Sequence, residues 1–330
     1  SYCHGLQNQP ATFSVFARNP DQKRNYFVAA GLETVLAELS RYRFTDNQRT
    51  YLRALDLFPD DFLDFLGPLR FTGDVWALPE GTIFFPEEPI MEITAPLVEA
   101  QLIETFVLNT LGLASLIATK AARCVHAAQE RPLVDFALRR TQGQDAGDQV
   151  ARSAYMTGFA ATSNVRAGKR FGLPVAGTMA HAFISAFPSE IEAFRAFVEV
   201  FPSNAILLID TYDTLKGARN AATVGREMQA RGQTLKGVRL DSGDMLAQSH
   251  AVRAILDHEG LTDARIYASS SFDEFRIDDL VQAGAPIDAF GVGTRMVTSD
   301  DAPSLDVIYK LVEDASGPRM KTSPGKLTLP

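Results

Sequence analysis

Residues 235–273, LKGVRLDSGDMLAQSHAVRAILDHEGLTDARIYASSSFD, decide how most of the chain folds. LKGVRLDSGD is a short apolar run that ends in charged and small residues. GDMLAQSHAVRAILDHEG then spaces its apolar residues as a helix does. ARIYASSSFD is a second strand-like run with a polar end. Strand, helix and strand in this order imply parallel strands covered by helices. The same grammar extends outward through LVDFALRR (133–140), PVAGTMAHA (174–182), AILLIDTYD (205–213), DAFGVGT (288–294) and DVIYKLV (306–312). SEIEAFRAFVEVF (189–201) is another helical stretch. Six or seven such units predict an α/β barrel-like domain of TIM type, complete or incomplete, over residues 129–330.

Residues 1–128 read differently. ATFSVFARN (11–19) has strand character, and AGLETVLAELSRY (30–42) places Leu32, Val35, Leu36 and Leu39 on one helix face. Thr45 is a plausible N-cap for the helix that follows. GDVWALPEGTIFFPEEPIMEITAP (73–96) is β-branched and aromatic, broken by Pro and Gly, and predicts short antiparallel strands. The run from Pro96 to Gln129 contains no internal proline and predicts one long, mostly buried helix. The expectation is a smaller α/β N-terminal domain with antiparallel strands.

At 330 residues and 46% hydrophobic composition, the chain is long enough for two domains. Its net charge of -8 argues against a nucleic-acid partner. Two cysteines, Cys3 and Cys124, exclude a disulfide framework and a cysteine-based zinc site. No stretch reaches the ~18 apolar residues of a membrane span, and no signal peptide opens the chain. No membrane partner and a cytoplasmic location follow as expectations. The absence of an initial Met reads as a start inside a longer protein.

In each strand-like run the polar groups sit downstream. The runs end in Arg139 and Arg140, in His181, in Asp210, in Asp241, Ser242 and Gly243 after Arg239, in Ser269, Ser270 and Ser271, and in Gly293, Thr294 and Arg295. These ends recur at about 30 residues, the length of one βα unit. They are therefore expected on one rim, where barrel sites form. Singly, each has a plain alternative: an Asp or Ser after a strand is often a helix cap, and a lone His or Arg is often structural. Together they offer arginines, one histidine, carboxylates and small loops suited to phosphate. Asp210 and Asp241 could orient a histidine, hold a sugar hydroxyl or bind Mg2+ through oxygen. The inventory points to a phosphorylated, hydroxyl-bearing substrate. The five histidines show no metal-protease spacing. Ser242, His181 and Asp210 lack a nucleophile-elbow context for a hydrolase.

FALRRTQGQDAG (136–147), GFAATSNVRAGKRFGLPVAGTMAHAF (158–183), LIDTYDT (208–214), VRLDSGD (238–244) and FGVGTRMVTS (290–299) together resemble nicotinate phosphoribosyltransferases. FVAAGLETVLAELSRYRFT (27–45) extends the resemblance into the first domain. It implies a barrel-like domain plus a smaller one, and a homodimer with shared active sites. It also implies a transfer reaction: nicotinate displaces pyrophosphate from phosphoribosyl pyrophosphate, giving nicotinate mononucleotide for NAD synthesis, coupled to ATP hydrolysis, with Mg2+ on the phosphates and no tightly bound organic cofactor. By the same resemblance His181 is the phosphorylated histidine and Asp210 its carboxylate contact. Phe136 is the ring-stacking aromatic. Arg139 and Arg140 take carboxylate or phosphate, in an order left open. Thr162, Ser163 and Asn164 replace the Asp that contacts a carboxamide in nicotinamide-using relatives, which favours nicotinate. Thr178 is also a binding residue. Arg239 and Asp241 face ribose and pyridine, Ser242 and Gly243 continue that loop, Ser269 to Ser271 and Gly293 to Thr294 hold the 5'-phosphate, and Arg295 follows them. The family's N-terminal Asp-Leu-Tyr stretch and its usual C-terminal segment lie outside these 330 residues.

Three other readings compete. One is nicotinamide as substrate. Another is a phosphosugar aldolase or isomerase, disfavoured because no strand end carries a Lys. The third is a non-catalytic, nucleotide-binding member of the fold, against which the His181–Asp210 pair counts.

Overall fold

The computed structural model describes residues 2–18 and 23–321. The chain divides into two compact units. One comprises Ser1–Thr119 with Asp301–Pro330, and the other Lys120–Asp300.

The first unit holds the strands Pro10–Arg18 (β1), Phe27–Val28 (β2), Asp74–Ala77 (β3), Ile83–Phe84 (β4) and Pro89–Pro96 (β5). Its helices are Leu32–Leu39 (α1), Asp46–Ala54 (α2) and Asp60–Phe65 (α3), and it shares Leu97–Ala128 (α4) with the second unit. β1 lies between β5 and a strand from far along the chain, Asp306–Asp314 (β12), antiparallel to both. Gly317–Pro318 (β13) completes the order β13-β12-β1-β5-β3, and β2 pairs with β4. DVIYKLV, expected as a further β/α strand of the second domain, is therefore part of this antiparallel sheet. The division falls after Thr119, inside α4, where a boundary after residue 128 was expected, and β12 returns with Asp301–Pro330 to the first unit. The core packs Val15, Ile93, Ile103, Val107 and Leu111 with Tyr309, whose ring stacks on Phe13 at 4.6 Å. α2 begins at Thr45 with a full capping box, in which Gln48 N–H donates to the threonine hydroxyl and the Gln48 side chain accepts from Thr45 N–H.

The long helix forms as expected. α4 is long and apolar enough to cross a membrane, with a mean hydropathy of 1.6 over its best 18-residue window. Half of that window is buried within the protein, and Ile103, Val107 and Leu111 belong to the first unit's core. Core helices reach such hydropathy when apolar residues surround them on most faces.

The second unit contains Leu133–Asp135 (β6), Ala161–Thr162 (β7), Ile206–Leu208 (β8), Gly237–Leu240 (β9), Arg265–Ser269 (β10) and Ala289–Val292 (β11). All pairings are parallel, in the order β7-β6-β11-β10-β9-β8. Apart from β7 and β8, consecutive strands are neighbours, and the first strand pairs with the last. That is barrel order. Val175 continues it by one parallel bridge to Thr162, and the ring is open between Val175 and β8. The helices are Gln144–Met156 (α5), Val165–Phe171 (α6), His181–Ser185 (α7), Glu190–Val200 (α8), Thr214–Gln229 (α9), Met245–His258 (α10), Glu274–Gln282 (α11) and Thr294–Val297 (α12). PVAGTMAHA was expected to be a strand ending in His181. It forms only the Val175 bridge, and His181 instead opens α7.

Candidate active site

The C-terminal ends of the parallel strands surround a cavity of about 690 Å³. Phe136, Arg139 and Arg140 enter it from the turn after β6, and Ser163 from the turn after β7. His181 enters from α7, and Arg239 and Asp241 from β9 and its end. Ser269, Ser270 and Ser271 follow β10, and Gly293 and Thr294 follow β11. Register explains the convergence: parallel strands start their connections on the same edge, so polar strand ends share a rim.

Phe136 is held by its backbone N–H, which donates to Val292 O at 2.8 Å. Its ring lies against Gly291, where a Cβ would come within 2.5 Å of ring carbon Cδ2. Only a glycine leaves space for the ring at this point. Gly291 also lines the cavity with Leu138 and Ala180, three residues that the strand-end pattern did not single out.

The histidine's surroundings differ from the expected pair. Nδ1 of His181 lies 3.1 Å from the Thr211 hydroxyl. Nε2 faces Asp241 Oδ2 at 3.6 Å and Asp210 Oδ1 at 4.0 Å. Thr211 therefore supplies the ring's hydrogen bond, and the expected Asp210 contact is only long-range. Asp210 organises the next loop: its Oδ2 accepts from Asp241 N–H at 2.9 Å and from the Ser242 hydroxyl at 2.6 Å. Ser242 is thereby turned toward Asp210. Gly243 has a φ of 86°, a left-handed conformation that suits glycine.

Arg239 lines the cavity and donates through Nη1 to the Thr178 hydroxyl. Thr178 thus holds an arginine instead of lining the main cavity. Burial lowers the Arg239 pKa; Asp241 and Asp210 oppose that shift and Arg139 adds to it. Its Nε is buried without a protein partner among the described residues, as is Asp210 Oδ1. Asp241 Oδ1 accepts from Ser269 Oγ at 2.5 Å, tying β9 to the serine loop.

Two expected binding residues have structural partners. Asn164 is 2% exposed and caps α6 through Ala167 N–H, while its amide donates to Asp148. Arg295 donates to Asp273 Oδ2 at 2.7 Å, and Asp273 caps α11. Behind α11's first turn, Glu274 pairs with Lys120 at 2.5 Å and Arg123 at 2.7 Å, both from α4. These ion pairs anchor the helix that follows the serine loop. Because Asp273 already caps that helix, the serine loop offers hydroxyls and loop N–H groups more than a free helix end.

No cluster of three or more His, Cys, Asp or Glu side chains suited to a metal occurs among the described residues. Asp210 and Asp241 nevertheless fit Mg2+, a hard cation that commonly uses one or two carboxylates plus substrate phosphates. The buried, unpartnered Asp210 Oδ1 is the observation that supports the fit.

Residues 1–112 match the nicotinate phosphoribosyltransferase (NAPRTase) N-terminal domain, and residues 132–312 match the nicotinate phosphoribosyltransferase (NAPRTase) family. The chain belongs to the nicotinate phosphoribosyltransferase family. It is 50% identical over 321 residues to the nicotinate phosphoribosyltransferase pncB2 of Mycobacterium tuberculosis, covering 97% of this chain and 69% of that protein. Identity to the nicotinate phosphoribosyltransferase of Bacillus subtilis is 43%, over 98% of this chain and 68% of the relative. The structure of human nicotinic acid phosphoribosyltransferase superposes with a TM-score of 0.87 at 30% identity, covering 98% of this chain and 75% of the human one. The cavity lining includes most of the residues that the family motifs singled out.

Proposed function

We propose that this chain, a nicotinate phosphoribosyltransferase of NAD biosynthesis, performs its transfer in the cavity bounded by Phe136, Arg139, His181, Arg239 and Asp241. Phosphoribosyl pyrophosphate binds with its 5'-phosphate beside Ser269–Ser271, Gly293 and Thr294. Nicotinate lies against Phe136, near Ser163. The ring nitrogen's lone pair forms the bond to ribose C1, and the C1–O electron pair leaves with pyrophosphate. The nucleophile needs no general base. The protein's task is to position the ring and stabilise departing charge. Arg139, Arg140 and Arg239 supply cationic donors suited to phosphate or carboxylate. Mg2+, held by Asp241, Asp210 and the phosphates, would neutralise charge on the pyrophosphate.

ATP coupling extends this reading. A His181 ring nitrogen attacks the γ-phosphate, and ADP leaves. Thr211 holds the ring from the Nδ1 side and leaves Nε2 as the nitrogen that takes the phosphoryl group. The working form is a homodimer in the cytoplasm. The observation that carries the site assignment is the convergence of His181, Arg239, Asp241 and the serine loop on one cavity beside Phe136.

Purified full chain with phosphoribosyl pyrophosphate, Mg2+, ATP and either nicotinate or nicotinamide tests the proposal. Nicotinate should turn over, with ATP stimulating the rate; turnover of nicotinamide alone would overturn the ring assignment. His181→Ala should abolish ATP stimulation and leave slow basal transfer. Unchanged stimulation would reject the phosphohistidine.

A further inference from the structure

Thr162, expected with Ser163 and Asn164 at the ring, is buried with Asp135 beside the cavity, and neither residue lines it. Asp135 ends β6 and Thr162 ends β7, and the two are paired in register. Asp135 is 2% exposed and Thr162 1%. Asp135 Oδ2 accepts from the Thr162 hydroxyl at 2.7 Å, and Oδ1 accepts from Ala137 N–H at 2.8 Å. Thr162 Oγ1 in turn accepts from Asn164 N–H at 3.0 Å, and Ser163 N–H donates to Asp135 O at 2.8 Å. Each bond secures a residue next to one that lines the cavity. Ala137 follows Phe136, and the amides of Ser163 and Asn164 are both fixed.

We propose that Asp135 and Thr162 form a buried clamp that sets the spacing of Phe136 and Ser163, and so governs affinity and selectivity for the pyridine ring. They are positioning residues, because neither lines the cavity. The inference rests on the reading of the Phe136–Ser163 face as the ring's seat.

The choice of residues supports a positioning role. Asp135 Oδ2 accepts from the Thr162 hydroxyl, whose oxygen accepts from Asn164 N–H, so one pair of side chains links both loops. Burial pushes the Asp135 carboxyl up from its ordinary value, while the Thr162 and Ala137 bonds pull it back. A buried carboxylate held by neutral donors is a costly way to join two strands that already pair through their backbones. It is well suited to fixing two loops at once.

The test compares Thr162→Val, which keeps the shape and loses the hydroxyl, with Thr162→Ser, which keeps the hydroxyl. Steady-state kinetics on the full chain and circular dichroism are measured for each. Thr162→Val should raise KM for nicotinate about tenfold, the scale of a lost hydrogen bond to a charged group. KM for phosphoribosyl pyrophosphate should stay within about twofold, and preference for nicotinate over nicotinamide should fall. Thr162→Ser should restore the nicotinate KM. An unchanged nicotinate KM in folded Thr162→Val, or equal rises in both KM values, overturns the clamp. If Thr162→Val does not fold, Asp135→Asn is held to the same criteria, and failure of both variants to fold overturns the specific role in favour of a structural one. Phe136→Ala separates the two levels. Unchanged nicotinate KM in that variant removes the ring seat and the clamp together, whereas a raised KM there with no effect of Thr162→Val removes only the clamp.

Discussion

Gly291→Ala is the sharpest steric probe of the ring seat. A Cβ at residue 291 would lie 2.5 Å from Phe136 Cδ2, 2.6 Å from Cε2 and 3.1 Å from Ser269 Cβ. Carbon atoms rest at about 3.5–4.0 Å, so the ring must retreat by about 1 Å. It cannot do so freely, because the Phe136 N–H is bonded to Val292 O at 2.8 Å. Gly291 is absent from the positive-φ glycines, so alanine brings no left-handed backbone strain and the effect reports the clash. Overpacking of this kind costs about 1–3 kcal/mol of stability. A 1 Å misplacement of a positioning group costs about 100-fold in rate. Steady-state kinetics should therefore show kcat/KM for nicotinate falling by one to two orders of magnitude, roughly, with the thermal midpoint lowered by a few degrees. A double-mutant cycle identifies the cause: in a Phe136→Ala background the substitution at 291 should be nearly silent. Wild-type kinetics in Gly291→Ala, or full additivity with Phe136→Ala, would refute the close ring–glycine contact and the role built on it.

Three further outcomes follow from particular contacts. Thr211→Val should reduce ATP stimulation about tenfold while basal transfer changes little, and Thr211→Ser should retain it; equal loss of both rates would show that the threonine does not act through His181. Asp273 is pushed up by burial but held below its ordinary pKa by Arg276 N–H and by Arg295. The unfolded chain therefore takes up this proton first as pH falls, so the stabilisation is complete above about pH 4 and is lost as pH drops through the lower folded value. Urea titrations at several pH values should show Asp273→Asn destabilised at neutral pH with a shallower acid-side loss, whereas parallel curves would reject the coupling. Cys124 is fully buried, its thiol pushed up to about 12 mainly by burial, with Glu274 adding to the shift. Peptide-resolved mass spectrometry should find it unmodified by a thiol reagent in the native protein and labelled in denaturant; native labelling at the denatured rate would contradict its burial.

The β/α half was legible because strands covered on both faces are written as apolar runs with polar ends. LVD, ILL, GVRL, RIYAS and AFGV all form parallel strands of one sheet. The same rule misassigned DVIYKLV, because an apolar run does not encode its partner. Val15 pairs with Tyr309 across nearly the whole length of the chain, and local pattern carries nothing about that distance. The strand expected before His181 failed for a related reason. With Gly177 and Ala180 in VAGTMAH, the segment has little side-chain surface to hold a strand, and Val175 makes the only bridge assigned to it among the described residues.

At the site, position along the chain was easier to read than direction. Asp210 and Thr211 are adjacent, and a carboxylate is the obvious partner for a histidine. Side chains alternate sides along an extended chain, and here the carboxylate turns to the β9 loop while the threonine meets His181. Arg295 follows a glycine turn, the position expected of a phosphate ligand, but its partner Asp273 arrives from another strand's loop. Asp135 was the overlooked signal: a charged residue inside the apolar run LVDF must find buried partners or destabilise the fold.

The unpartnered groups complete the argument. Buried polar atoms left without a hydrogen bond cost about 1–3 kcal/mol each, and folds retain few of them. Arg239 Nε and Asp210 Oδ1 are two such atoms. Arg239 lines the cavity, and Asp210 lies 4.0 Å from the histidine that does. One is a donor and the other an acceptor of opposite charge, yet neither satisfies the other. Packing for stability alone would pair or replace them. An unspent donor and acceptor beside a polar cavity suit a site that must meet a phosphorylated substrate and its counter-charge.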